Sequence, residues 1–121
     1  MSHIVKIKRV YDEPAPDDGW RILVDRLWPR GISKEKLQMD QWMKELAPTH
    51  DLRKWFQHDP QKFPVFKERY RLYLKENQES LEKLKELKGL LKNNNVTLLY
   101  SAKEERHNQA AVLQEMLLEE C

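Results

Sequence analysis

The chain has 121 residues, the length of one domain, and enough to bury a hydrophobic core without a metal or disulfide staple. Twenty-two basic residues against twenty acidic ones leave a formal charge of +2, which argues against nucleic-acid affinity from bulk charge and leaves anion recognition to local clustering. No apolar run approaches the roughly 20 residues of a membrane span, and the first residues carry no secretory h-region.

A lone cysteine, Cys121, forms no internal disulfide and fits a reducing compartment. The expected location is therefore cytoplasmic, and Cys121 reads as an idle tail residue rather than a reactive thiol.

Residues 4–11, Ile-Val-Lys-Ile-Lys-Arg-Val-Tyr, mix alternation with β-branched side chains and predict a strand. Pro14, Pro16 and Gly19 make residues 12–19 a loop. Residues 20–28 predict a second strand, whose Ile22-Leu23-Val24 run suggests burial on both faces. Pro29-Arg30-Gly31 stops it. Ser33 caps a short helix, and residues 39–46 fit either a helix or an extra strand. Thr49 caps a helix over residues 51–57, and Asp59-Pro60 is an N-cap followed by an N1 proline. Phe63, Phe66, Tyr70 and Tyr73 line one helical face, with Pro64 awkwardly close to its start. Leu81, Leu84, Leu87 and Leu91 line a second long helix, and the lysines and glutamates between them are its solvated face. Val96 to Tyr100 is a buried-type strand.

Ser101 and Glu104 match a capping box opening a last helix, with Ala110, Ala111, Leu113, Leu117 and Leu118 turned inward. The expected fold is one α/β domain over residues 1–121. It is a small three-layer sandwich, its three- to four-stranded, mostly parallel sheet flanked by helices. The short first connection leaves the direction of the first strand open.

Ligands of parallel sheets bind beyond the carboxyl ends of the strands. One such exit supplies Asp25, Arg26, Trp28 and Arg30; the other supplies Tyr100, Lys103, Glu104, His107 and Asn108. If the two strands are neighbours, two arginines, a lysine, an imidazole and a helix N-terminus converge, a combination suited to phosphate or carboxylate. In that reading Arg26 and Arg30 bind the anion with help from Lys103. Asp25 or His107 moves protons, and Trp28, Tyr100 and Asn108 shape the pocket. Glu45, Arg53 and His58 form a second wall. Plainer roles stand beside these: Arg26 paired with Asp25, Trp28 filling core, His107 on the surface, His58 completing a turn.

The four histidines lack metal-ligand spacing, so no metal is expected. Three glycines build neither a P-loop nor a dinucleotide fingerprint, and no cofactor is expected. Ser101 lacks the setting of a nucleophile elbow.

The same residues carry a resemblance. Arg9-Val10-Tyr11-Asp12, Asp18-Gly19 and Leu23 through Gly31 resemble the YeaO-like branch of domain of unknown function family 488. So do Trp42, Lys44 through Pro48, Leu52-Arg53, Trp55-Phe56, His58-Asp59-Pro60, Thr97 through Glu104, and His107-Asn108. The match spans nearly the whole chain, with Ser101 in place of an expected alanine and Pro64 in place of an ordinary helix residue. It implies a small bacterial, cytoplasmic α/β protein and brings no established reaction with it. Broader relatives place a Cys-His-Arg run near Arg106-His107-Asn108, so the resemblance implies that their thiol chemistry is absent here. The functional expectation is an enzyme acting on a small anionic or nucleotide-like substrate. The alternative is a non-catalytic module binding a metabolite or nucleic acid, nucleic acid being the weaker partner. No membrane association is expected, and the oligomeric state is left open.

Overall fold

Four strands form in a computed structural model that describes residues 3–119. They are β1 (Val5–Arg9), β2 (Trp20–Leu23), β3 (Gln41–Trp42) and β4 (Val96–Tyr100). Their order is β1-β4-β2-β3, and every pairing is parallel. The chain is a small α/β domain with β4, its last strand, inside the sheet. The direction left open for the first strand is thus settled as parallel. Residues 10–19 make that connection with only a 3-10 turn at Pro16–Asp18. Ten residues reach up to about 33 Å extended, enough to run back along a five-residue strand and step across β4. Cys121 lies outside the described residues.

Five helices complete the domain: α1 (Lys34–Leu37), α2 (His50–Phe56), α3 (Phe63–Glu76), α4 (Gln78–Asn93) and α5 (Gln109–Glu119). Strand alternation divides the core. Val5, Ile22, Val24, Val96, Leu98 and Tyr100 form one cluster with Phe66, Tyr70 and Leu74 of α3, Leu84 and Leu87 of α4, and Leu113 of α5. Leu23 and Leu99 point the other way, to Val10 and Leu37, with Trp28, Ile32, Met39 and Trp42 packed around them. The second covering layer is therefore thin: one four-residue helix and an aromatic loop.

Local signals held where the partner was local. Ser33 Oγ accepts from Lys36 N at 3.2 Å, Thr49 Oγ1 from Leu52 N at 3.2 Å, and Asp59 Oδ1 from Gln61 N at 3.0 Å. The ambiguous segment resolves into β3 followed by a 3-10 turn at Lys44–Leu46. Pro64 is accommodated in the first turn of α3, where its missing N–H costs nothing.

Three expectations are corrected. β2 ends at Leu23 rather than Trp28, because the Asp25 carbonyl accepts from Trp42 Nε1 at 2.7 Å instead of from a strand neighbour. The last helix starts at Gln109, not after Ser101. The Ser101 hydroxyl is taken by Asp25 at 2.6 Å, and Asn108 Oδ1 caps instead by accepting from Ala111 N at 2.9 Å. Leu118 is exposed, because Ala110, Val112, Leu113, Met116 and Leu117 form the buried stripe of α5 and residue 118 falls on the opposite face.

Gln38 ends α1 in the left-handed region, with φ 54°. Glycine adopts that region without a Cβ penalty. Gln38→Gly is expected to raise stability by about 0.5–1 kcal/mol in thermal unfolding, since the exposed side chain makes no hydrogen bond among the described residues and only its main-chain groups are engaged. A lower melting temperature would count against strain at this turn.

Candidate functional site

β2 and β4 are paired neighbours, so their exits do converge. Residues 24–31 and 101–108 leave the same edge of the sheet, and α2 approaches it from the side. Between them lies a cavity of about 340 Å³ whose walls include Asp25, Arg26, Trp28, Arg30, Arg53, His58, Ser101 and Gln109. Phe56 and Phe66, stacked with centroids 4.1 Å apart, form its apolar side.

Asp25 is the buried polar centre. Its Oδ2 accepts from Ser101 N at 3.0 Å and from Ser101 Oγ at 2.6 Å, while Oδ1 accepts from Gln109 Nε2 at 2.7 Å. Burial raises its carboxyl pKa; the Ser101 bonds, the Arg53 charge and Gln109 pull the other way. Arg26 is not paired with Asp25. Its Nε and Nη2 donate to the carbonyls of Pro48 and Ala47 at 3.2 and 3.1 Å, tying the β2 exit to the loop before α2. Trp28 donates to the Ile32 carbonyl at 2.8 Å and stands edge-on to Trp42 at 5.6 Å. It serves both cavity wall and core.

Arg30 and Arg53 are different. Both side chains are exposed at the cavity, and among the described residues neither guanidinium has a hydrogen bond or an ion pair within 4 Å; only the Arg30 carbonyl is engaged, by Tyr11 Oη at 2.7 Å. His58 lies at the rim with φ 54°, its ring 5.5 Å from that of Phe56.

The remaining expected residues do not line this cavity. Tyr100 is buried in the core, and burial raises its phenol pKa. Asn108 is the α5 cap, and its Nδ2 donates to the Glu104 carbonyl at 2.7 Å. His107 is half-buried, its Nδ1 3.1 Å from Glu104 Oε1 and its ring edge-on to Phe63 at 5.1 Å. Backbone donation from His107 and Arg106, with the His107 ring adding, holds the Glu104 carboxyl at about 2. Lys103 is exposed in the same loop, so the helical face it was expected to share with His107 does not exist. Glu45 is half-buried, and its carbonyl accepts from Ser80 Oγ at 2.6 Å.

Ser101, Gln109 and Tyr11 line the cavity without having been expected there. Tyr11 had a signal. It follows a strand now known to be parallel, and its exit obeys the same rule as the other two. Gln109 had none, because a polar residue opening a helix usually faces solvent.

Among known proteins, the chain is similar to the uncharacterized protein YeaO of Escherichia coli (strain K12). The two are 43% identical over 113 residues, which cover 93% of this chain and 96% of that protein. It is also similar to the uncharacterized proteins Mb3100c of Mycobacterium bovis and Rv3073c of Mycobacterium tuberculosis, each 38% identical over 113 residues, 93% of this chain and 92% of theirs. No solved structure matches it significantly. No helix among the described residues is long and apolar enough to cross a membrane, and no group of histidine, cysteine and carboxylate residues among them could hold a metal ion. The family model matches residues 4–121, nearly the whole fold described above, and the chain belongs to the inactive DUF488-N3 subclade.

Proposed function

We propose that this chain binds a small anionic metabolite, without turnover, in the cavity at the carboxyl ends of β2 and β4. The observation that carries the reading is the pair Arg30 and Arg53. They are two unpaired guanidinium groups on the wall of a concave site with an aromatic side. Guanidinium forks match carboxylate and phosphate oxygens, and a volume of about 340 Å³ suits a small metabolite. Binding is favoured over catalysis because the family is described as inactive. Nucleic acid is the weaker ligand, because the overall formal charge is only +2.

The test is a thermal-shift and calorimetric screen of small phosphorylated and carboxylated metabolites. Arg53→Ala is expected to weaken any hit by at least about tenfold, the loss of one charge-assisted hydrogen bond, with the melting temperature of the free protein unchanged. Arg26→Ala is expected to lower the melting temperature itself, because Arg26 ties two loops together. Hits that survive both Arg30→Ala and Arg53→Ala at full affinity would remove this site from consideration.

One observation favours an enzyme: a buried carboxyl with a raised pKa lines the cavity. Conversion of a hit over hours, abolished in Asp25→Asn, would establish that reading instead.

A further inference from the structure

The segment that carries His58 is bent in a way the helix before it does not require. Gln57 has φ 46° and His58 φ 54°, two successive non-glycine residues in the left-handed region. One such residue suffices to end a helix. Gln57 does this, its N–H donating to the Arg53 carbonyl at 3.0 Å. The second left-handed residue is an added conformational cost. Its result is the placement of the His58 ring at the cavity rim against Phe56, which is itself stacked on Phe66.

The charged groups around the cavity frame what that ring can do. α2 presents Arg53. The β2 exit presents Asp25, Arg26 and Arg30, and the loop after β4 presents Glu104. Asp59 follows His58, but its Oδ1 is occupied as a cap by Gln61 N. The arginines are charged at every accessible pH. Of the lining side chains, His58 has the ordinary pKa nearest neutrality.

We infer that His58 is the proton-linked recognition residue of this cavity, taking up a proton as an oxyanion docks beside Arg53, and that the site thereby prefers doubly charged oxyanions of the phosphate-monoester or sulfate type over singly charged carboxylates. The inference rests on the anion-binding reading above and adds the ligand class to it. Partial desolvation lowers the imidazole pKa in the free protein; Glu104 opposes this, Arg53 reinforces it and Asp25 opposes it. The ring therefore has a proton still to gain when a ligand supplies negative charge. The Coulomb attraction that drives uptake scales with ligand charge, so a dianion drives it about twice as strongly as a monoanion.

Sulfate is the probe, because it stays doubly charged across the whole range in which histidine titrates. Its affinity is measured by NMR from about pH 8 to about pH 6 at constant chloride-balanced ionic strength, while the His58 ring resonances are followed. Acetate is the singly charged comparison. Saturating sulfate is expected to raise the His58 pKa by about one unit, so that affinity increases about three- to fivefold over the range; acetate is expected to give a clearly smaller change. His58→Asn is the control variant, since asparagine tolerates positive φ. It should fold, still bind sulfate, and lose the pH dependence.

If sulfate binds with no pH dependence, or if the dependence persists in His58→Asn and so belongs to Asp25 or Glu104, the role of His58 is overturned and the anion site stands. An equal pH dependence for acetate overturns the dianion preference. No binding of sulfate by the native chain at any pH overturns both the site and this inference.

Discussion

Gly19→Ala is expected to remove most of the stability of the fold. Gly19 has φ +64°, and a Cβ there would lie 2.0 Å from the Asn95 carbonyl oxygen, 2.6 Å from its carbon and 2.9 Å from Asn95 Cα. All three are main-chain atoms and cannot be swung aside. Nor can Asn95 retreat. Its carbonyl accepts from Trp20 N at 2.8 Å, its Oδ1 from Ile4 N at 3.0 Å, and its Nδ2 donates to the Asp17 carbonyl at 3.0 Å. Those bonds align the starts of β1, β2 and β4, so moving Asn95 disturbs three strands together. The cost should exceed about 4 kcal/mol, most of the stability of an ordinary small domain. Far-ultraviolet circular dichroism with urea titration reads it directly. A variant within about 1 kcal/mol of the native chain would mean that the contact relaxes cheaply.

Asp18→Asn is expected to lose about 3–5 kcal/mol near neutral pH, the range for removing one partner of a buried ion pair. The Asp18 side chain is 1% exposed. Lys6 Nζ lies 2.7 Å from its Oδ1, while Lys8 Nζ at 3.1 Å and Arg21 Nη1 at 2.5 Å meet Oδ2. Arg21 is buried too, with Nη2 donating to the Leu37 carbonyl at 2.8 Å. Asparagine would leave three cations facing one another around a neutral amide. The pH dependence has a definite sign. Burial alone would raise the Asp18 pKa, but the bonds from Lys6, Ala15, Lys8 and Arg21 hold it well below the usual carboxylate range. A depressed folded-state pKa gives stability that is fully present above the unfolded value of about 3.9 and is lost as pH falls below it. Unfolding free energies from about pH 6 down to about pH 2 should therefore fall steeply in the native chain and less steeply in Asp18→Asn. Parallel slopes would show that Asp18 titrates as an ordinary surface carboxylate.

The sequence showed most clearly what depends on near neighbours. Val96 to Tyr100 and Ile22-Leu23-Val24 read as buried strands because every position is apolar or β-branched, and they are buried. Ser33, Thr49 and Asp59 read as caps because a cap needs only the N–H two or three residues on. Ser101 has the same local pattern and does not cap, because its competing partner, Asp25, is 76 residues away in the chain. That one distant carboxylate also explains why residues 101–108 leave the sheet as a loop, and hence why Lys103 and His107 do not meet on a helix. At the candidate site, Asp25, Arg26, Trp28, Arg30, Arg53 and His58 were legible by type and position, and all six line the cavity. Which arginines are free was not legible. Arg26 is held by two carbonyls of a loop whose path no local pattern fixes.

The strand order also governs how the chain must assemble. β1 pairs only with β4, and β2 reaches β1 only through it. Until Val96–Tyr100 slides into place, the first strand, Val-Lys-Ile-Lys-Arg over residues 5–9, has no hydrogen-bonded neighbour. Helices α3 and α4 can form earlier from local contacts, but the sheet closes only when β1 meets β4, far along the sequence. Such non-local closure is intrinsically slow. A nascent chain that has not yet supplied β4 is therefore a helical hairpin with its sheet unformed, and the fold, and the cavity at its edge, first exist once Val96–Tyr100 has been made.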